Sequence, residues 1–500
     1  MSQVSTGTVG SGEQAGLRRE AVGLREVLFQ SITAMAPGAA IAASIPAGAA
    51  YAGGSLPLAV VFALIACLFT AIAIGELARH IPAAGSVATY TARGLHPAVG
   101  FLVGWGYLFI ELLVPPLLFL QLGFTVAATL NSQWPSISPD LWWPWVILGS
   151  LIVLFAGYRG IRFSARLGTV LGTFEILVFV VLAFLFIINA GSHNDLSVFG
   201  TSHTPGAYSG ITGVIAGSVY TVLAFAGFEA AAPLAEETVN PKRNIRLAVV
   251  GATVGIGIVY IFTTYAVDIA YGPNKFTDFA TNAGPASWLG LAKASYGIFW
   301  VFVFFAIVNS TIANANAGSN VSTRMAFALG RIRLLPHFLA TLHPRYRSPY
   351  VAVLIQWVVG LGAPLILGFI YGPTTAFIFD ATIIVLIIVG VYILCDLACI
   401  GYYLRHRRED FNPLLHVAVP ILGVAAFVPA FFAAAGIQVF SFIAPLTYPS
   451  SIAGIVVGVW LLIGVMVLFY SATRHPERLA EMSRVHLDGD PVATEARVRP

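Results

Sequence analysis

Six carboxylates stand inside long apolar stretches of the chain, namely Glu111, Glu175, Glu229, Asp268, Asp380 and Asp396. An ionised carboxylate in apolar surroundings is expensive, so each of them needs a proton, a cation or a hydrogen-bonding partner. Two of the stretches also carry helix breakers at their centres. One reads S-I-T-A-M-A-P-G-A-A-I-A-A-S-I-P, with Pro37 and Gly38 in its middle and Pro46 beyond them. The other reads V-L-A-F-A-G-F-E-A-A-A-P-L-A-E-E, with Gly227 and Glu229 in its middle and Pro233 following. A helix interrupted in this way has free N–H groups at the start of its second half and free C=O groups at the end of its first half. The former suit a carboxylate and the latter an ammonium. In the first stretch the free donors are Gly38, Ala39 and Ala40, since Pro37 has no N–H. In the second the free acceptors are the carbonyls of Leu223, Ala224 and Ala226. The competing reading, that Pro and Gly merely kink two packed helices, is weakened because the breaks fall at matching places in two halves of one chain.

Other kinds of chemistry have little to work with. Cys67, Cys395 and Cys399 all lie in apolar stretches, where a thiol packs as a small hydrophobe, and none of the ten histidines falls deep within one. No metal and no cofactor is expected, and proton chemistry falls to the carboxylates.

What must position these residues is a set of long apolar segments. The chain has 500 residues, 58% hydrophobic and 10% charged, against roughly 25% charged in an average soluble domain. That excludes an ordinary soluble enzyme. Twelve apolar runs recur, near 28–51, 56–79, 97–130, 142–158, 167–190, 208–236, 246–272, 296–327, 350–371, 374–404, 414–437 and 450–473. They are of the length, about 20 residues, that crosses a hydrocarbon layer of ~30 Å. Nothing alternates as in a membrane barrel, so backbone groups must be paired within helices. The fold class is therefore an all-α polytopic membrane protein with twelve transmembrane helices. The broken sixth run starts five spans after the broken first, and five is odd, which gives two five-helix repeats in inverted orientation. The expected organisation is a tail over 1–26, a first repeat over 27–190, an outer loop over 191–207, a second repeat over 208–404, two extra helices over 405–473 and a tail over 474–500.

With the N-terminus inside, 24 of the 26 Lys and Arg residues fall on the inner side, leaving only Lys275 and Lys293 outside. One missed or invented helix would scramble every later loop, so this split supports the span count and cytoplasmic termini in the cell (inner) membrane. The formal net charge of +4 reflects membrane topology and not nucleic-acid binding.

Three blocks carry a family resemblance. They are G-E-L-A-R-H-I-P-A-A-G-S-V-A-T-Y-T-A-R-G-L-H-P-A-V-G-F-L-V-G-W from Gly75 to Trp105, G-F-E-A-A-A-P-L-A-E-E-T-V-N-P-K-R-N-I from Gly227 to Ile245, and N-A-N-A-G-S-N-V-S-T-R-M-A-F-A-L-G-R-I-R-L-L-P from Asn314 to Pro336. With the span spacing they resemble permeases of the amino acid-polyamine-organocation (APC) superfamily over about residues 20–475. The resemblance implies a transporter that works by alternating access, with the substrate's carboxylate on the broken first helix and its amino group on the broken sixth. The substrate-binding positions it implies are Ala36, Pro37, Gly38, Ala39, Ala40 and Ile41, facing Leu223, Ala224, Phe225, Ala226 and Gly227, with Phe225 and Phe228 as gate. An aromatic lid used by a related antiporter falls here on Leu223.

Glu229 resembles an acid that titrates during transport in relatives, which assigns it proton uptake and release coupled to the change of access; the alternative is a cap for the second half-helix. Glu175 occupies a position that is lysine in many proton-coupled relatives, where sodium-coupled cousins hold a cation. A carboxylate there attracts a cation, a proton or a basic substrate, or it is a buried acid bonded to a neighbouring helix. Glu111, Asp268, Asp380 and Asp396 are read as partners of neighbouring helix ends or polar side chains, with carrying substrate as the alternative. Glu236 and Glu237, with Lys242 and Arg243, are read either as part of an inner ion-pair cluster that opens and closes with the gate or as a solvated interface.

A phosphate-binding loop for an ATP-driven pump is absent, as are the clustered acids of a membrane-embedded transferase. A channel would also use broken helices and remains the rival on physics alone. The substrate expected first is a neutral or apolar amino acid, moved with a proton or with sodium, and the alternatives are exchange or a small amine or polyamine. Besides substrate, the bilayer is the expected partner, with the protein a monomer or homodimer.

Overall fold

The computed structural model describes residues 20–281, 285–443 and 445–481, so most of the two expected tails lies outside the described residues. Among the described residues, eleven helical segments are long and apolar enough to cross a membrane, and they coincide with the expected runs. The remaining run, Trp143–Arg159, forms an apolar helix of 17 residues. The protein is thus a multi-pass, all-helical membrane protein.

The helices that build the interior are α1 (Leu24–Ala34), α2 (Leu56–His80), α3 (Ser86–Gly94), α4 (Pro97–Gln133), α5 (Trp143–Arg159), α6 (Ile161–Ala190), α7 (Ile211–Thr221), α8 (Pro241–Tyr271), α9 (Pro285–Tyr296), α10 (Phe299–Arg331), α11 (Tyr350–Tyr371) and α12 (Pro373–His406). Two more, α13 (Val419–Ala435) and α14 (Ala453–Arg474), follow. Pro57, Pro97, Pro241 and Pro373 each stand in the first turn of their helix, where the missing N–H is harmless. Two helices lie between the expected apolar runs. One is α3, with nearly every residue buried, and the other is α9, whose Trp288 is buried.

Both expected breaks are real interruptions. After α1, Ala36 adopts a left-handed conformation at φ 47°, and the chain resumes as a short helical turn at Pro37–Ala39 followed by a wider π-helical turn over Ala40–Ser44. After α7 and a 3-10 turn at Val222–Phe225, Gly227 takes φ 106°, and the following Phe228–Glu237 winds as a 3-10 helix. The breaks press on each other, since a Cβ on Gly227 would lie 2.7 Å from the Ala34 carbonyl carbon and oxygen. Only glycine satisfies both the dihedral and the space.

Side chains from elsewhere hold the two broken helices in register. The Ser31 hydroxyl of α1 donates to the Phe228 carbonyl at 2.6 Å and accepts the Ala231 N–H at 3.1 Å. The Tyr260 hydroxyl of α8 stands 2.9 Å from the carbonyl oxygens of both Met35 and Ala224, so one phenolic proton serves the two loose helix ends.

Candidate functional site

A cavity of about 80 Å3 lies between the two breaks, walled by α4, α10 and α12. From the first break it is lined by Ala36, Ala39 and Ala40, and from the second by Leu223, Ala224, Ala226, Gly227 and Glu229. Its remaining polar lining is Ser44, Glu111, Gln121 and Asn314, while Ile110, Val114, Leu117, Leu118, Phe377, Ile384 and Ile388 supply apolar walls. Among the described residues, no lysine, arginine or histidine lines it. Ser44, Gln121 and Phe377 belong to the ends of their helical segments remote from the Glu236 and Glu237 side, so the cavity extends away from those two residues.

Glu229 is fully buried. Tyr107 of α4 donates to its Oε1 at 3.1 Å, and Tyr392 of α12 donates to its Oε2 at 2.6 Å. The Tyr392 oxygen in turn accepts the Gly227 N–H at 3.2 Å, which ties the carboxylate's support to the break itself. Two phenols donate to the carboxylate, and for its acid form to donate in turn one of the two hydroxyls must turn its own proton away.

Glu175 of α6 lies on the other side of the first break, away from the cavity lining. Its Oε2 accepts the Gly38 N–H at 3.0 Å, and the Ser310 hydroxyl of α10 accepts the Ala39 N–H at 3.0 Å. The Ala40 N–H returns to the Ala36 carbonyl at 2.8 Å and the Ala36 N–H to Thr33 at 3.1 Å. Every N–H from Ala36 to Ala40 therefore has a partner within the protein, Pro37 having none to offer. The space is tight as well, because a Cβ on Gly38 would lie 3.0 Å from both Glu175 Oε2 and the Ala306 carbonyl oxygen.

The remaining expected site residues stand apart from the cavity. Phe225 packs edge-on against Tyr260 at 5.1 Å, Phe228 stacks on Tyr392 at 4.8 Å, and both are fully buried. The Ile41 carbonyl accepts from the Trp288 indole of α9 at 2.9 Å. Glu111, expected to meet a helix end or a polar side chain, is also one of the residues lining the cavity, one turn beyond Tyr107 on α4.

On the side of Glu236 and Glu237, ion pairs tie the second broken segment to α10. Glu237 pairs with Arg324 at 2.9 Å, both 2% exposed, and Arg331 binds Glu236 through two parallel 2.9 Å hydrogen bonds. These arginines of α10, not the expected Lys242 and Arg243, are the partners. Lys242 and Arg243 stand instead in the first turn of α8, beyond the end of the 3-10 helix that carries the two glutamates. The N-terminal segment adds backbone pairing, with the Ala21 and Val22 N–H groups both directed at the Glu237 carbonyl and the Val239 N–H at Val22.

Comparison with known proteins places these features in context. The amino acid permease family profile matches residues 26–479. A low-affinity putrescine importer of Escherichia coli strain K12 is 26% identical over 364 residues, covering 71% of this chain and 75% of that protein. A branched-chain amino acid permease of Bacillus subtilis strain 168 is 27% identical over 335 residues, covering 64% and 68%. A methylthioribose transporter of the same organism is 23% identical over 450 residues, covering 85% and 87%.

Proposed function

The chain belongs to the amino acid permease family, one of membrane transporters, and from that premise we propose that it carries a small organic amine across the cell membrane by alternating access, in exchange with a proton at Glu229. One observation carries the choice of an amine over an α-amino acid. The cavity is lined by two acidic residues, Glu111 and Glu229, and by no basic side chain among the described residues, while the N–H donors that would receive a substrate carboxylate are already taken by Glu175 and Ser310. An ammonium neutralises such a lining; an α-carboxylate would enter it without a counter-charge. The likeness to a putrescine importer agrees with this reading.

The arrangement of twelve spans as two inverted five-helix repeats with cytoplasmic termini belongs to the same proposal. Within it, the terminus-proximal ion pairs form the inner gate, closed here, and the cavity faces outward. Glu229 serves as both ammonium ligand and proton acceptor. Because an ammonium binds the carboxylate and not the carboxylic acid, occupancy by proton and by amine is mutually exclusive, which couples the two. Counterflow in proteoliposomes tests the reading: labelled putrescine or n-butylamine should accumulate against unlabelled amine, and leucine should not compete. Competition by leucine with no amine uptake would overturn it.

A further inference from the structure

We propose that His416 is a pH-sensitive joint between α12 and α13: a proton taken up at its Nδ1 releases the turn Asn412–His416 through which the chain enters α13. The inference is independent of the amine reading. Hydrogen bonding fixes which ring nitrogen carries the hydrogen. His416 Nδ1 accepts the Asn412 N–H at 3.0 Å, so the neutral ring has its hydrogen on Nε2. The residue is 3% exposed, and its Nε2 stands 3.8 Å from Glu76 Oε2 with no hydrogen-bond partner. An imidazolium has a hydrogen on both nitrogens. The second one would meet the Asn412 N–H head-on, and turning the ring over brings a carbon to the same place. Either way that N–H loses its acceptor.

The rest of the turn does not depend on the proton. The Asn412 carbonyl accepts the His416 N–H at 2.8 Å, and its side-chain oxygen accepts the N–H groups of Leu414 and Leu415 at 3.0 and 3.3 Å. Charges around the ring act in both directions. Glu76 and, from the preceding turn, Asp410 favour the imidazolium. Arg79 of α2 and Arg246 of α8, at 3.7 and 2.7 Å from Glu76, oppose it, as do His80, which pairs with Asp410, and Arg407, which pairs with Glu409. Tyr403 of α12 lies flat on the His416 ring, with centroids 3.4 Å apart, and its hydroxyl donates to Glu76 at 3.3 Å. Glu76 is thus the meeting point of α2, α8 and α12, and α12 also carries Tyr392 to Glu229. A change in the His416 turn acts on the helix that supports the site.

The test is hydrogen exchange over residues 411–418, read by mass spectrometry on the full chain in lipid nanodiscs. It compares about pH 7.5 with about pH 5, on either side of histidine's ordinary value near 6.5, after correction for the chemical pH dependence of exchange. In the wild type, protection should fall about fivefold in acid, the worth of one hydrogen bond. His416→Asn keeps an acceptor near the Nδ1 position and cannot titrate, so its protection should be the same at both pH values. His416→Phe keeps the stack on Tyr403 and offers no acceptor, so it should match the acid wild type at both. Wild-type protection that does not change with pH overturns the inference, whether or not either variant folds. So does a His416→Asn protein that loses protection in acid as the wild type does, or a His416→Phe protein as protected as the wild type at pH 7.5.

Discussion

The carboxylate of Glu175 accepts the N–H of Gly38 at 3.0 Å, across 137 positions of sequence, and thereby closes the open helix end at the first break from within the protein. Replacing Glu175 by Ala leaves a buried N–H unpaired, a cost of about 1–3 kcal/mol. The apparent Tm in detergent should fall by a few degrees. Glu175→Gln keeps an acceptor oxygen and should lose less than half as much; equal losses for the two variants would show that charge, not hydrogen bonding, is what matters there.

The contact between Gly227 and Ala34 predicts a sharp contrast between glycines. Gly227→Ala combines a φ of 106° with a Cβ 2.7 Å from backbone atoms, so it should destabilise by several kcal/mol and abolish transport. Gly255 on α8 has nothing within 4 Å of an added Cβ, and Gly255→Ala should be neutral or slightly stabilising. Size-exclusion profiles and thermal scans of the two variants check this directly.

Arg324 and Glu237 are both buried, so removing one strands the other. Arg324→Gln alone should cost about 3–5 kcal/mol, and the double change with Glu237→Gln should recover a large part of it. A double variant as unstable as the sum of the two singles would mean that the residues act independently.

Tyr260→Phe removes the one proton that serves the carbonyls of Met35 and Ala224. Fold and detergent stability should survive, with a loss of about 1–2 kcal/mol. Transport should slow several-fold, because the two broken helices no longer share a tether. Initial rates at saturating amine, compared with the wild type in the same vesicles, read this effect.

Competition between proton and ammonium at Glu229 fixes the sign of a pH effect. As pH falls and the acid form accumulates, amine affinity should weaken, by up to about tenfold per pH unit for one proton displaced. Glu229 is faced by Tyr107, Tyr392 and Glu111, so Glu229→Gln should bind amine poorly at every pH and release no proton on binding. Isothermal titration in buffers of different ionisation enthalpy measures that proton; a pH-independent wild type would refute the exchange.

The helical runs and the positions of both breaks were legible because long apolar stretches, Pro and Gly act locally. Helix α3 was not, since its nine residues are held by tertiary packing and carry no long apolar pattern. Nor was the engagement of the Gly38 and Ala39 donors, which depends on residues 137 and 271 positions away. Phe225 and Phe228 show the same limit: near a positive φ the direction of a side chain no longer follows helical spacing, and both rings turned into the packing. Glu111 was visible as an intramembrane acid, but which face of α4 meets the cavity is decided by α10 and α12.

Ala21 and Val22 hydrogen-bond to the carbonyl of the same Glu237 whose side chain holds Arg324. Parting the ion pair by moving that residue therefore also releases Ala21 and Val22 from it. Position 20, exposed and immediately beside this pairing, is accordingly a place to attach a spin label or dye that reports the opening of the inner end without altering any residue of the cavity.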